Sequence, residues 1–465
     1  MVRTGSGTGP RRRWRPLTAL GLLAAACLLV FQGPGGEPRR EAAGAAPAAA
    51  PPAGAPSAAS RPGPLPDRWS DARAAILAAG PAERQGLARM WWERVRRTGT
   101  PRLEGDWLYF FYWGEARQVA VSSEVTRWHP LDLSRLPGTD LWAGSLPVPA
   151  DAVFQYRLLV NGRGQPDPAN PRRSRGFGVV WSVYLGPLAP GEEPPSLPAG
   201  VRRERWTLTS QILGRPVRVE AWIPPECTGA RRCPALLAAD GPAYVEEARL
   251  PGVVAGLAAG GQIPPLVAVG IQPPESPVLR LVELVPGVRP GTWPRFVVEE
   301  LLPDLSRRLP VSPGPHGLLG FSAGAAAMLE VLLGHPDRFA WAVIQSPTAL
   351  SPVLEEAIGC ARPEGQRVWL TWGRYEGNIF GVDVRAYGAD LARRLSDQGF
   401  AVGGGERPAG HTMSYWRRDL AAALAWAAAA GDQAGSAPAP APGPRGRAEG
   451  PEGREEGPRA CAAGT

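Results

Sequence analysis

The segment from His316 to Glu330 constrains the fold of this chain more than any other. It consists of a short apolar run, then Gly320-Phe321-Ser322-Ala323-Gly324, then a stretch rich in alanine and leucine that favours a helix. Small residues are required on both sides of a serine where a strand turns abruptly into a helix. Because 58 glycines make such a five-residue pattern common by chance, the flanking strand and helix signals carry the prediction. They indicate a sharp turn whose strained backbone lifts the Ser322 hydroxyl clear of a sheet.

Strand and helix signals alternate on both sides of this turn, over residues 201–430. Near-continuously apolar strands belong in a sheet that helices cover on both faces. We predict strands at 203–208, 215–223, 234–239, 265–271, 317–320, 340–345 and 367–372, with a weaker one at 401–403, and helices at 243–259, 294–309, 323–333, 382–397 and 414–429. This order, with a serine at the turn, predicts an α/β fold, specifically an α/β-hydrolase catalytic domain.

A different pattern precedes this domain. Residues 67–98 have helical spacing interrupted at Gly80-Pro81, and predict a helical lead-in. Residues 99–190 contain short alternating strands between Gly, Pro and Asp turns, and predict a small β-sandwich of the Ig-like type. Its tryptophans form either a ligand platform or ordinary core and edge packing: Trp113, Trp128, Trp142 and Trp181.

The two ends of the chain have compositions unlike a packed domain. Residues 1–32 carry a basic head and an apolar run from Leu17 to Phe31, the pattern of a signal peptide or membrane anchor. The residues before Cys27 loosely resemble a lipoprotein cleavage site, so cleavage, lipidation and retention stay open. Residues 33–66, an Ala/Pro-rich linker, and the tail 431–465 are predicted to be disordered. We expect the body to lie outside the cytoplasm, periplasmic or at the cell surface, secreted or membrane-anchored.

Charge and cysteine content exclude some classes of function. The net charge of +8 does not predict nucleic-acid binding, because removing five arginines of the first sixteen residues leaves +3. No Cys/His spacing resembles a metal site. Cys227 and Cys233 bracket a predicted surface turn, where they either close a small loop in an oxidising compartment or stay as two free thiols.

The chain offers partners for Ser322 in the order that an α/β-hydrolase requires. A serine that attacks a carbonyl needs a base within hydrogen-bond reach and an acid that orients the base. Of the four histidines, only His411 follows the last strand and precedes the last helix. The acid is expected after strand 367–372, where Glu376 is the nearest carboxylate and Asp383 the alternative.

An oxyanion hole needs two backbone N–H groups. Ala323, the residue after the serine, supplies one. The second is expected from the loop after strand 234–239, where Gly241 is preferred because Pro242 has no N–H.

From about Met90 to Ala430 the chain resembles the enterochelin (enterobactin) esterase family of the esterase D type. The motifs that carry the resemblance occur in the family's order: Asp167-Pro168-Ala169-Asn170-Pro171, Asp240-Gly241, Arg280-Leu281-Val282-Glu283-Leu284, Glu299-Glu300-Leu301-Leu302-Pro303, the Ser322 turn, His335-Pro336-Asp337-Arg338-Phe339, Gln345-Ser346, and Gly410-His411 leading to Trp416-Arg417.

This resemblance implies Ser322 as nucleophile, His411 as base and Glu376 in the position of the triad acid. It implies that Arg280 lies near the site, where relatives hold anionic or catecholate substrate groups. The triad acid is Glu instead of Asp, and Pro347-Thr348 stands where relatives often have an aromatic residue, so the pocket wall is expected to differ.

The function implied is that of an exported serine esterase that forms an acyl-enzyme and needs neither metal nor organic cofactor. Trilactone siderophores are the leading substrates, and the expected partner is a small-molecule ester, siderophore-like or glycan-linked. Feruloyl or acetyl esters on polysaccharides, and acyl transfer to another alcohol, are the alternatives. A catalytically silent envelope protein that binds glycan is the alternative of another class.

Overall fold

The computed structural model describes residues 65–176, 179–189, 191, 195–348, 351–379 and 382–429. The predicted leader 1–32, nearly all of the linker 33–66 and the tail 431–465 lie outside the described residues. Across the ranges that are described, no helix is long and apolar enough to cross a membrane.

Two helices open the described chain, α1 (Trp69–Ala78) and α2 (Pro81–Thr98). They are separated where the sequence predicts, because Pro81 is tolerated in the first turn of a helix but not in its interior. Their apolar faces pack on an adjoining sheet, and the Phe111 ring of that sheet meets Trp69 edge to face, with ring centroids 5.0 Å apart.

Nine antiparallel strands form what we call the N-terminal sheet. Its order is β1-β2-β5-β4-β3-β6-β9-β8, with β7 beside β6. Side chains alternate along β2, so that Phe111 faces the two helices whereas Leu108 and Phe110 enter a core shared with β3, β6 and β9. The strands are β1 (Arg102–Glu104), β2 (Trp107–Trp113), β3 (Val119–Ser123), β4 (Leu131–Arg135), β5 (Leu141–Pro147), β6 (Val153–Val160), β7 (Arg163–Gln165), β8 (Arg173–Gly176) and β9 (Val179–Leu185).

An eight-stranded sheet, the hydrolase sheet, follows. Its order is β10-β11-β13-β12-β14-β15-β16-β19, and all neighbours are parallel except that β11 runs opposite to β10 and β13. The strands are β10 (Arg202–Ser210), β11 (Arg215–Ile223), β12 (Ala235–Ala238), β13 (Val267–Ile271), β14 (His316–Phe321), β15 (Phe339–Gln345), β16 (Arg367–Gly373) and β19 (Ala401–Arg407), while β17 (Asn378–Ile379) and β18 (Val382–Asp383) form a separate hairpin.

Helices cover both faces of the hydrolase sheet. Consecutive residues such as Leu318 and Leu319 of β14 enter separate cores on opposite faces, which explains why these strands are apolar throughout. The helices are α3 (Gly241–Glu246), α4 (Leu250–Ala259), α5 (Pro277–Leu284), α6 (Thr292–Arg295), a π-helical turn (Phe296–Leu301), α7 (Leu302–Arg308), α8 (Ala323–Gly334), α9 (Pro352–Cys360), α10 (Val384–Asp397) and α11 (Met413–Ala427).

Some predicted elements need correction. The single helix expected at 243–259 is two helices, because Arg249 between them adopts a left-handed conformation with φ 49°. The helix expected at 294–309 contains the π-helical turn. The weak strand at 401–403 extends to Arg407 and pairs with β16 over seven residues.

A disulfide joins Cys227 and Cys233, whose Cα atoms are 5.6 Å apart.

Candidate active site

Ser322 lies at the turn between β14 and α8, with φ 56° and ψ −128°. Residues other than glycine seldom adopt this backbone conformation, and it persists only where the surroundings enforce it. A methyl group on Gly320 would overlap the carbonyl of Gly324, and one on Gly324 would come within 2.8 Å of Asp240 Oδ2. Steric crowding therefore explains both glycines of the pattern around Ser322.

His411 lies in the loop between β19 and α11. Its Nδ1 is 2.9 Å from Glu376 Oε1, and its ring meets the Trp416 ring edge to face at 4.8 Å between centroids. A carboxylate on Nδ1 favours the tautomer with the proton there, which leaves Nε2 free to accept a proton. The pair can therefore work as a general base with its orienting acid.

Glu376 follows β16 and is fully buried. Its second oxygen, Oε2, accepts a hydrogen bond of 2.7 Å from the Gly373 N–H. The alternative acid, Asp383, is exposed and caps α10 by accepting from the Ala386 N–H at 3.0 Å. The structure thus brings Glu376, and not Asp383, to the histidine.

The hydroxyl of Ser322 is 3.3 Å from Thr348 Oγ1. Among the described residues this is its side-chain hydrogen-bond partner, and the bond to His411 is not formed in this arrangement. Catalytic hydrogen bonds are often long without substrate and tighten only in the complex. Thr348 follows β15, in the Pro347-Thr348 segment that the resemblance singles out as a changed pocket wall.

Ala323 and Gly241, the predicted oxyanion donors, are the first residues of α8 and α3. They follow the adjacent parallel strands β14 and β12, whose residues Leu319 and Ala238 are in register. First-turn N–H groups have no partner within their own helix. Two such groups at the same edge of the sheet suit a developing negative charge on oxygen.

Arg280 of α5 lies beside the same loop. Its guanidinium makes two hydrogen bonds, of 2.6 and 2.5 Å, to the carboxylate of Asp240. Its side chain is 12% exposed and that of Asp240 is 5% exposed. The positive charge of Arg280 is therefore engaged next to Gly241, and its predicted contact with a substrate anion stays a prediction.

Sequence reasoning missed Glu124, a buried residue that follows β3 of the N-terminal sheet. Its Oε1 accepts from the His411 N–H at 2.6 Å, and its Oε2 accepts from the Gln155 N–H at 2.7 Å. Burial raises the pKa of this carboxyl to about 8 against the effect of both hydrogen bonds, and the charge of nearby Glu376 raises it further. A second carboxyl group therefore contacts the histidine segment from another part of the chain.

The remaining histidines lie elsewhere. His316 in β14 is buried and accepts from the Ala235 N–H at 3.2 Å, and burial lowers its pKa to about 4. It is therefore neutral and structural at ordinary pH. His129 is exposed in a loop of the N-terminal sheet, and His335 ends α8.

Polar contacts behind Ser322 connect the surrounding elements. Gln345 at the end of β15 accepts from the Tyr244 hydroxyl and donates to the Trp416 carbonyl, both at 2.9 Å. The Trp416 indole N–H donates to the Ser346 hydroxyl at 2.9 Å. These bonds fix the start of α11, and with it one end of the His411 loop.

A mostly parallel sheet covered on both faces, with a serine at the strained turn after a central strand, is an α/β-hydrolase fold. Residues 210–427 match the family model described as putative esterase. The chain is 25% identical over 405 residues to the iron(III) enterobactin esterase of Dickeya dadantii strain 3937, an alignment that covers 72% of this chain and 92% of that protein.

Two solved structures are similar in fold. The enterochelin esterase of Shigella flexneri has a TM-score of 0.59 at 21% identity, covering 72% of this chain and 96% of that one. The ferric enterobactin esterase of Salmonella typhimurium has a TM-score of 0.61 at 20% identity, covering 72% and 98%. At this low identity, the matches support an enterochelin esterase-like ester hydrolase.

Proposed function

We propose that this protein is a serine esterase that works through an acyl-enzyme. The observation that carries the proposal is the 2.9 Å contact between Glu376 and His411, in a fold whose strained turn carries Ser322. In the proposed reaction His411 Nε2 takes the proton of Ser322 Oγ as this oxygen attacks the ester carbonyl carbon. Glu376 stabilises the imidazolium that forms.

The first half of the reaction ends when the alcohol leaves, and the second half repeats the attack with water. His411 gives its proton to the leaving alkoxide, which departs as the alcohol and leaves the acyl group on Ser322 Oγ. Water then attacks the acyl carbon while His411 accepts its proton. His411 returns this proton to Ser322 Oγ as the bond between Oγ and the acyl carbon breaks, and the carboxylic acid is released. In both steps the N–H groups of Ala323 and Gly241 are proposed to donate to the negative oxygen.

For the substrate we propose a trilactone siderophore of the enterobactin type. Support comes from the relatives, since those named above are enterobactin or enterochelin esterases by description. One structure of the Shigella flexneri enzyme, similar at a TM-score of 0.60 and 22% identity, was obtained in the presence of enterobactin.

We also propose that the N-terminal sheet is a β-sandwich and that the protein is exported. The halves of this sheet share one core, as the two layers of a sandwich do. The Cys227–Cys233 disulfide supports export, because such bonds persist in oxidising compartments. Fractionation of cells that express the full chain tests the location, and recovery in the cytoplasm would contradict it.

Purified protein tests the chemistry. We expect it to hydrolyse p-nitrophenyl acetate and ferric enterobactin, and Ser322→Ala to lower kcat by at least about 10³-fold. Ser396→Ala, which alters an exposed serine of α10, should keep wild-type activity. A fluorophosphonate probe should label the wild type on Ser322. Wild-type activity in Ser322→Ala would contradict the assignment of Ser322 as the nucleophile. Absence of the adduct from the wild type would favour a silent binding protein.

A further inference from the structure

We propose that Glu124 is a positioning residue of the esterase site, through which the N-terminal sheet holds the main chain at His411 in place. This inference rests on the proposed function, because it assigns Glu124 a part in the work of His411. The carboxyl group of Glu124 bonds the main-chain N–H of His411 and not its imidazole ring. Glu124 therefore acts on the base through the backbone.

The contacts of Glu124 join two segments that are far apart in the chain. One carboxylate oxygen receives the His411 N–H, and the other receives the N–H of Gln155 in β6. Beside them, the Gly410 N–H donates to the Val153 carbonyl at 2.8 Å, and the Val153 N–H donates to the Pro408 carbonyl at 2.9 Å. The histidine loop is therefore paired with β6 almost like an added strand, and Glu124 closes the end of that pairing.

The carboxyl group of Glu124 is tightly packed. Glu124 is 2% exposed, and a methyl group built on Gly410 would overlap its carboxyl atoms. His411 is consequently fixed at two points, with its ring held by Glu376 and its main chain held by Glu124. A displacement of about 1 Å in a catalytic group can lower a rate by about 10²-fold, so a fixed main chain has a direct kinetic value.

The charge of Glu124 gives this role a signature that a purely structural role lacks. Two N–H groups need an acceptor on each oxygen, which the ionised carboxylate provides better than the neutral acid. Its pKa is raised to about 8, and the charged group that faces it is Glu376. As pH rises through about 8, both hydrogen bonds strengthen and a negative charge appears near His411, which favours the imidazolium formed during attack.

The test compares Glu124→Gln and Glu124→Ala with wild type and with Ser322→Ala, using p-nitrophenyl acetate between pH 5 and 10. Glu300→Gln is the matched control, because Glu300 also accepts from two main-chain N–H groups, those of Gln211 and Ile212. Those residues follow β10, at the edge of the hydrolase sheet, away from the β14 turn that carries Ser322.

We expect kcat to fall about 10-fold in Glu124→Gln and about 100-fold in Glu124→Ala, with KM within about twofold of wild type. The wild-type profile should rise near pH 8, and Glu124→Gln should lack this rise. Glu300→Gln should match wild type in both respects.

Several results would overturn the inference. A Glu124→Gln enzyme with wild-type kcat and pH profile would do so, as would a loss shared equally by Glu300→Gln. Loss of cooperative unfolding in Glu124→Gln would also overturn it, because Glu124 would then be needed for the fold as a whole and not for the position of His411. If Ser322→Ala stayed active, the proposed function itself would fail, which separates that failure from one confined to Glu124.

Discussion

Two carboxylates contact the residue proposed as the base, and they contact different parts of it. Glu376 bonds the imidazole ring, while Glu124 bonds the main-chain N–H. Both side chains are buried, so their hydrogen-bond partners are protein groups and not water. Proton transfer depends more directly on the Glu376 contact with the ring than on the Glu124 contact with the main chain, because the ring contact sets which imidazole nitrogen carries the proton.

Glu376→Gln tests the ring contact with little change in shape. The amide would either place its NH₂ group against His411 Nδ1, which favours the wrong tautomer, or turn that group toward the Gly373 N–H and lose that bond. We expect kcat to fall by about 10²–10⁴-fold, with KM little changed. Steady-state kinetics on p-nitrophenyl acetate provide the measurement.

Asp383→Asn is the control for this substitution. Asp383 is an exposed N-cap of α10, and asparagine caps helices about as well as aspartate, so activity should stay within about twofold of wild type. Equal losses in the two variants would contradict the assignment of Glu376 as the acid.

Chain order alone predicted the contact between His411 and Glu376, because this fold presents its functional groups on successive loops at one edge of a parallel sheet. The action of this pair on Ser322 stays a prediction. Glu124 could not be predicted in this way. It is 287 residues from His411 in the chain, and their contact exists only because the N-terminal sheet packs on the histidine loop. No local pattern encodes such a contact.

At the scale of elements, the loop from β12 to α3 is held by α5. Asp240 of this loop has φ 55°, a left-handed conformation, and pairs with Arg280 through two hydrogen bonds. The guanidinium also lies over the Phe321 ring, 5.5 Å from its centroid. One arginine thus connects α5, the loop that carries Gly241 and the end of β14.

Arg280→Met tests whether this pair stabilises the fold. Removing the cation leaves Asp240 buried without its partner, and breaking a buried ion pair in this way lowers the free energy of unfolding by about 3–5 kcal/mol. Urea unfolding, followed by tryptophan fluorescence, gives the measurement.

The double variant Arg280→Met/Asp240→Asn serves as the control, because it also removes the stranded charge. We expect it to recover part of the lost stability. If Arg280→Met unfolded at the same urea concentration as wild type, a structural role for the pair would be contradicted. The remaining role for Arg280 would then be the predicted contact with substrate.

Elements that escaped sequence prediction have physical reasons. Helices α5 and α9 are only eight and nine residues long, too short for a clear period. Both begin with Ser-Pro, and the side chains of Ser276 and Ser351 cap them by accepting from main-chain N–H groups. A serine followed by proline is thus the local sequence signal for the start of each of these helices. Strand β19 was underestimated because three glycines occupy its centre, where they allow close packing against Trp426 and Leu370.

At the scale of the whole molecule, the two sheets form one packed body around the site. Val153 and Val183 of the N-terminal sheet belong to a core of the hydrolase sheet, and Phe154 meets Tyr375 edge to face at 6.0 Å between ring centroids. Tyr375 immediately precedes Glu376. Loss of the N-terminal sheet should therefore disturb the candidate triad and not only remove a neighbouring module.

This arrangement predicts that stability and activity respond to pH in opposite directions. The pKa of Glu124 rises from 4.5 in the unfolded chain to about 8 in the fold, so between these values the folded state binds the extra proton. The stability that this proton contributes is full below about pH 4.5 and is lost as pH rises through about 8. Over the upper part of the same interval, ionisation of Glu124 should raise the rate.

Urea unfolding at pH 5, 7 and 9 separates the contribution of Glu124 from that of other groups. Glutamine cannot ionise, so the wild-type midpoint should fall more steeply toward pH 9 than that of Glu124→Gln, and the difference between the two proteins isolates this one residue. Glu300→Gln should follow the wild-type slope. Parallel pH dependence in wild type and Glu124→Gln would contradict the raised pKa, and would remove the expected rise of activity near pH 8 with it.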